Sequence, residues 1–382
     1  MAPVVLRVKE SGTFEVKVAV TAQHRQMLDQ VLALFRIVPD YDLDLMSPDQ
    51  DLFDITIRVL DGLKEVLKRE RPDLVLVHGD TTTTFAAALA AYYFRIPVGH
   101  VEAGLRTRDK YQPYPEELNR RLAGVLADYH FAPTTWARDN LLAEDVPAEK
   151  IWVTGNTVID ALHIVAAQVA KEKDLWGQYF LNHHGISLDG QRIILVTGHR
   201  RENFGPGFEN ICLALRDLVE HYPDVHLIYP VHLNPKVQQP VYRILTQVAG
   251  SIKREGAPAS VQDSAGGRLS LLPPLDYAPF LFLMTQSYLV LTDSGGIQEE
   301  APGLGKPVLV MRDVTERPEG VWAGTVKLVG TSREKIFRAA QELLDNPDCY
   351  QAMAQAKNPY GDGRAAEKIM AILNHHLEVK QG

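Results

Sequence analysis

The chain has 382 residues, 46% hydrophobic and 23% charged, a balance that suits a globular protein long enough for two domains. Its net charge of −8, with no dense Lys/Arg block, excludes nucleic-acid binding driven by bulk charge but permits local basic pockets for phosphates. Two distant cysteines, Cys212 and Cys349, exclude a cysteine-based metal site and fit a reducing cytoplasm, and no apolar run reaches the ~18 residues of a membrane span.

Strand-like and helix-like stretches alternate along the chain. Residues 14–20 read as a strand and 25–35 as a helix. Residues 52–69 form an amphipathic helix with Leu60, Leu63 and Leu67 on one face. A strand buried on both faces is predicted at 73–78, an Ala-rich helix at 82–94 and another strand at 97–101. Helices at 116–127, 135–142 and 158–171 alternate with strands at 129–132 and 151–153. Residues 172–191, containing His183-His184-Gly185 and Asp189-Gly190, break the rhythm. They are expected to link a domain over 1–171 to one over 192–358.

A second series begins with a strand at 192–197, a helix at 207–221 and a strand at 225–229. A helix around 235–248 leads into a polar Gly/Ser/Ala-rich loop at 250–268. Strands at 269–272, 288–291, 307–311 and 325–329 follow, with helices at 277–284, 332–345 and 347–356. The terminal segment 359–382, with a helix at 363–377, is expected to return to the first domain. Apolar strands alternating with helices imply parallel sheets covered on both faces. The predicted fold is therefore α/β, two doubly wound Rossmann-like domains facing a cleft, with ligands at the carboxyl ends of the strands.

Polar clusters follow the strands. Strand 288–291 runs into Thr292-Asp293-Ser294-Gly295-Gly296 and a helix carrying Glu300. A Gly-Gly turn at a helix start can aim backbone N–H groups at an anion. Strand 73–78 ends in His78-Gly79-Asp80, where Asp80 is either a site carboxylate or a helix cap. Glu102 follows strand 97–101, as a site residue or an ion-pair partner. Glu116 and Arg120 lie four apart on one predicted helix, either as site residues or as a surface pair worth ~0.3–0.5 kcal/mol. His199 with Arg200 and Arg201 follows strand 192–197 and suits a phosphate pocket, and His232 follows strand 225–229 as a minor candidate. Neither a Gly-x-Gly-x-x-Gly fingerprint nor a Walker-type lysine loop occurs, so nicotinamide chemistry and ATP phosphoryl transfer find no support and no cofactor is expected.

Taken together and in order, these clusters closely resemble the bacterial non-hydrolysing UDP-N-acetylglucosamine 2-epimerases. The matching pieces include Thr21 to Leu28, His78 to Thr84, Val101 to Arg106, Tyr114 to Arg120, Gly155 to Asp160, Thr197 to Phe204, Pro274 to Phe280, Asp293 to Glu300 and Thr315 to Glu319. The resemblance implies the glycosyltransferase-B fold and interconversion of UDP-GlcNAc and UDP-ManNAc for cell-surface polysaccharide synthesis. Its implied route is elimination of UDP to a 2-acetamidoglucal, followed by re-addition with the other stereochemistry at C2. It makes Asp80, Glu102 and Glu116 the acid/base candidates, with Arg120 orienting Glu116 and His199 at the diphosphate. Ser294, Gly295 and Gly296 are to hold phosphate, and Glu300 the ribose. Leu275 and Phe280 are to border the uracil, with Arg317 on the nucleotide side. Gln23, Gln26, Gln50 and His232 fall where some members bind a second, activating UDP-GlcNAc, and a homodimer is implied.

Two departures from the family pattern stand out. The family carries a strand and a Gly-Thr-Arg-Pro-Glu segment before the equivalent of Met1-Ala2-Pro3, so the chain as written is expected to be poorly stable and weakly active. Trp322 stands where an acidic residue is common. Competing readings are a UDP-sugar glycosyltransferase of the same fold and a nucleotide-sugar-binding protein without catalysis.

Overall fold

The computed structural model describes all residues except 23–24, 46–49, 247–250, 253–260, 264–267 and 379–382. The chain divides into two compact units, one comprising Met1–Ala161 with Tyr360–Gly382, the other Leu162–Pro359.

In the first unit, strands β1 (Ala19–Val20) and β2 (Tyr41–Asp42) form a two-stranded parallel pair. A separate parallel sheet contains, in spatial order, β3 (Val75–His78), β4 (Val98–Val101), β5 (Tyr129–Ala132) and β6 (Ile151–Val153). The strand expected over 14–20 is thus only two residues long, because β2 offers it pairing at Ala19 and Val20 alone. Phe14 and Val16 instead pack beside an apolar cluster around Phe131, Ile369 and Leu373. The same cluster takes Val4 and Val8, one turn apart on the helix Ala2–Ser11, and the closing helix Ala365–Glu378. That closing helix is tied in by Asp160, whose carboxylate accepts the backbone N–H groups of Ala365 and Ala366 at 3.1 and 2.8 Å.

In the second unit, the strands are β7 (Arg192–Thr197), β8 (Val225–Pro230), β9 (Ser251–Ile252), β10 (Val261–Asp263), β11 (Leu269–Leu272), β12 (Leu289–Thr292), β13 (Val308–Val310) and β14 (Val326–Leu328). They build one sheet in the order β14-β13-β12-β7-β8-β11-β10-β9. All pairings from β14 through β11 are parallel, and β10 and β9 add antiparallel at the edge, within the stretch expected to be a loop. The chain builds from β7 through β8 to β11 on one side, then returns to build β12, β13 and β14 on the other. The order therefore reverses between β7 and β12. Loops leaving two such strands diverge to opposite faces and open a crevice at their carboxyl ends, which is where ligands bind in open parallel sheets. Thr197 pairs with Thr292 at that end, with their hydroxyls 2.6 Å apart.

Residues 172–191, expected to be a linker, contain the helix Lys173–His184. Its Phe180 is fully buried and stacks on Phe282, so apolar burial holds this stretch in the second unit. Gly185, at φ +68°, ends the helix in the left-handed conformation that glycine adopts without penalty.

Candidate functional site

At the carboxyl ends of β3 and β4 in the first unit, Asp80 and Glu102 are held by different partners. The helix Thr82–Tyr93 is capped by Thr81, whose hydroxyl accepts the N–H of Thr84, so Asp80 is not spent on capping. The Asp80 carboxylate instead accepts from the Arg120 guanidinium at 2.6 Å, and its carbonyl accepts from the Asn119 amide at 3.0 Å. Behind it, buried His100 lies 2.8 Å from the Gly79 carbonyl and donates from Nε2, fixing the turn that carries Asp80. Burial lowers the His100 imidazole to about 4, so it stays neutral and keeps that donor at neutral pH.

Glu102 follows β4 directly with φ +64°, a left-handed conformation costing an L-residue roughly 1–2 kcal/mol. Its carboxylate lies 3.2 Å from His78 Nε2. Burial holds the His78 imidazole well below its ordinary range, so Glu102 faces a neutral imidazole. Gly104, two residues on, has φ +92° and lies against the helix Thr135–Leu142.

Glu116 opens the helix Glu116–Leu126 and is half-buried. The expected orientation of Glu116 by Arg120 is not what forms: Arg120 turns to Asp80 and, at 3.6 Å, to Glu117. The guanidinium meets the facing Asp80 and the deeply buried Glu117. Glu117 is also structural in a second way, accepting the backbone N–H groups of Thr107 and Arg108.

At the reversal point in the second unit, Asp293 is completely buried and organises the loop after β7. It accepts the backbone N–H groups of His199 and Arg200 at 2.9 and 2.8 Å, and the Asn203 amide at 3.2 Å. The His199 imidazole then lies 3.5 Å from Asp293 and stacks on His232, with ring centroids 5.5 Å apart. Burial lowers its proton affinity, Asp293 raises it, and Arg200 and His232 lower it, for a net shift downward.

After β12, the Ser294 N–H is already given to the Thr292 hydroxyl at 2.9 Å. Gly295 also has side chains packed against it. A Cβ there would meet Arg317 Nη1 at 2.6 Å and Glu316 Oε1 at 2.8 Å. Arg317 itself donates to Glu299 at 2.5 Å and to Glu316 at 2.8 Å, so its charge is already matched by carboxylates. Arg312 pairs with Glu202 and Glu316, which links the loops after β7 and β13. Glu300 is nine-tenths buried and accepts from the Tyr277 hydroxyl at 3.0 Å. Leu275 and Phe280 lie half-buried around the start of Tyr277's helix, Tyr277–Gln286.

Of the remaining expected residues, Gln23 lies outside the described residues, as does the side chain of Gln26. Gln50 donates to the Leu45 carbonyl at 2.7 Å. No group of three or more His, Cys, Asp or Glu side chains that could hold a metal occurs among the described residues.

Sequence reasoning missed His78, His100, Asn119, Asp293 and Tyr277 as site-building residues. Asp293 was legible in principle, since it is an acid separated only by Thr292 from the apolar run Leu289-Val290-Leu291. His100 was hidden inside a strand.

The profile of the UDP-N-acetylglucosamine 2-epimerase family matches residues 6–374. The UDP-N-acetylglucosamine 2-epimerase of Escherichia coli K12 is 55% identical over 376 residues, covering 98% of this chain and 95% of that protein. Among solved structures, the UDP-GlcNAc 2-epimerase of Neisseria meningitidis bound to UDP-GlcNAc is 49% identical, with a TM-score of 0.84 over 98% of this chain and 95% of that one. The Methanocaldococcus jannaschii enzyme in complex with UDP-GlcNAc and UDP is 32% identical, with a TM-score of 0.73 over 98% and 95% of the two chains. With a family match over nearly its whole length and 55% identity to a curated relative, this chain belongs to the UDP-N-acetylglucosamine 2-epimerase family.

Proposed function

We propose that the protein interconverts UDP-GlcNAc and UDP-ManNAc by eliminating and re-adding UDP. The observation that carries this reading is the near-full-length identity to named 2-epimerases, together with carboxylates at the strand ends of the first unit and an anion-suited strand reversal in the second. A C2 proton beside an ordinary hydroxyl is not acidic, so inversion at C2 requires a good leaving group at its neighbour C1. In the elimination, a carboxylate takes the C2 proton, the C–H electron pair forms the C1–C2 double bond, and UDP leaves with the C1–O pair. Re-addition runs the same steps backward, with the proton delivered to the opposite face of C2.

Asp80, Glu102 and Glu116 are the proton carriers. Arg120 fixes the Asp80 carboxylate, and the neutral His78 supports Glu102. His199 and the Gly295-Gly296 backbone stabilise the departing diphosphate, where developing negative charge meets N–H groups and imidazole. Glu300 accepts from the ribose hydroxyls, Leu275 and Phe280 border the base, and Arg317 stiffens the turn at Gly295 rather than serving as a free cation.

A homodimer is supported by the apolar outer face of the helix Glu116–Leu126, where Leu118, Leu122 and Val125 are 45%, 36% and 82% exposed at helical spacing. A second, activating UDP-GlcNAc is part of the same reading. The stacking of His232 on His199 would give such a ligand a direct route to the diphosphate site.

The test is turnover of UDP-GlcNAc in D₂O without any acceptor. Deuterium should appear at C2 of both epimers. Absence of exchange, with sugar transferred to an added acceptor instead, would show a transferase.

A further inference from the structure

Glu300 presents an asymmetric carboxylate. The side chain is 9% exposed. One oxygen, Oε2, accepts the Tyr277 hydroxyl at 3.0 Å. The other, Oε1, lies on the side of Gly296, 3.7 Å from where a Cβ would stand, and takes no hydrogen bond among the described residues. That oxygen is not one of the fully buried side-chain atoms left without a partner, so it keeps contact with solvent and is open to a donor from outside the protein. Tyr277 opens the helix after β11 and Glu300 lies in the helix after β12, so two strand-end elements meet in this pair.

We infer that Tyr277 is a positioning residue for ribose recognition. Its hydroxyl holds one oxygen of Glu300, so that the other is presented, rigid and unpaired, to the vicinal hydroxyls of the nucleotide. The inference rests on the reading of Glu300 as the ribose acceptor. A charged acceptor makes hydrogen bonds about twice as strong as a neutral one, so recognition depends on keeping Glu300 ionised. Burial raises its proton affinity to about 7, the Tyr277 hydrogen bond lowers it, and neighbouring Glu299 raises it. Glu299 is itself neutralised by Arg317. Tyr277 stays a donor throughout, because burial and the facing carboxylate push its own ionisation upward. The hydroxyl therefore fixes the direction of the carboxylate and offsets part of the rise that burial imposes, extending downward the pH range in which it accepts strongly.

The experiment measures affinities of the full chain for UDP and 2′,3′-dideoxy-UDP by calorimetry between pH 6 and 8.5. Taking their ratio cancels the titration of the phosphates. Wild-type protein should favour UDP, with the ratio rising as pH passes through about 7. Tyr277→Phe should lower the ratio on the order of tenfold at pH 7.5, move the rise to higher pH and leave the dideoxy affinity unchanged. Glu300→Gln should lower the ratio and flatten its pH dependence, and adding Tyr277→Phe to it should cost nothing further. A Tyr277→Phe ratio and midpoint equal to wild type overturn the inference, as does an equal loss for both nucleotides. Wild-type protein that binds UDP but does not distinguish the two overturns the ribose role of Glu300 and this inference with it. In that case C2 exchange in D₂O still reports on the epimerase reading separately.

Discussion

Gly104→Ala is the substitution whose cost is best defined. Gly104 sits two residues after Glu102 with φ +92°. An L-residue pays roughly 1–2 kcal/mol for the left-handed region alone. The added Cβ would also lie 2.2 Å from the Ala137 carbonyl oxygen, 2.8 Å from its carbon and 3.0 Å from Leu141 Cγ. Ordinary contact begins near 3.4 Å, so the oxygen would have to withdraw by more than about 1 Å. The helix carrying it cannot withdraw freely, because Ala137 and Leu141 are fully buried and Thr134 caps it at 3.0 Å. Asn140 of that helix also donates to the Gly104 carbonyl at 3.0 Å, so any retreat breaks this bond too. Overpacking of this kind adds roughly 1–3 kcal/mol, for a total of about 2–5 kcal/mol against a typical domain stability of 5–15. Urea unfolding followed by circular dichroism should show that loss, and C2 exchange should fall further than stability because Glu102 moves with the loop. Gly177 provides the control, since it sits in a helix with nothing within 4 Å of the position a Cβ would take. Gly177→Ala should stabilise by roughly 0.5–1 kcal/mol. A Gly104→Ala protein within about 1 kcal/mol of wild type would refute the packing argument.

Two further outcomes follow from buried charge and buried imidazole. Asp293→Asn turns an acceptor of several N–H groups into a side chain with a donor facing donors. It should cost on the order of a hundredfold in kcat/KM, about 3 kcal/mol, with UDP affinity falling alongside; unchanged UDP affinity would contradict the role given to the loop. His100 is lowered to about 4 by burial, from an ordinary 6.5. The unfolded chain therefore binds the proton first, so this imidazole's contribution to stability is intact above about 6.5 and is lost as pH falls toward 4, by up to about 3 kcal/mol. His100→Gln keeps a donor toward Gly79 and should flatten that part of the acid unfolding profile; an unaltered profile would assign the acid sensitivity elsewhere.

Most strands were legible because parallel strands buried on both faces read as uninterrupted apolar runs, as in Ile193-Ile194-Leu195-Val196 and Leu289-Val290-Leu291. The strand expected over 14–20 shrinks to two residues, since Phe14 and Val16 alternate like a strand but spend their apolar surface against the cluster that holds the closing helix. Lys173–His184 hides its helix, because its charged start and His-His-Gly end look like loop chemistry while buried Phe180 anchors it. In the site, residue positions were readable from strand ends, but partnerships were not. Arg120 is at helical spacing from both Glu116 and Glu117, and only the fold brings Asp80, forty residues away in sequence, to its guanidinium. At Gly295 likewise the sequence gives no sign of the Arg317 and Glu316 side chains that a Cβ there would meet.

The Asp293 carboxylate stands on one strand-end loop and receives its hydrogen bonds from another. Neither loop keeps its shape without the other. A designer wishing to redirect this half toward a different nucleotide could not graft the His199 loop or the Ser294 turn alone. The transferable part is the pair with its shared carboxylate, inherited or exchanged as one cassette.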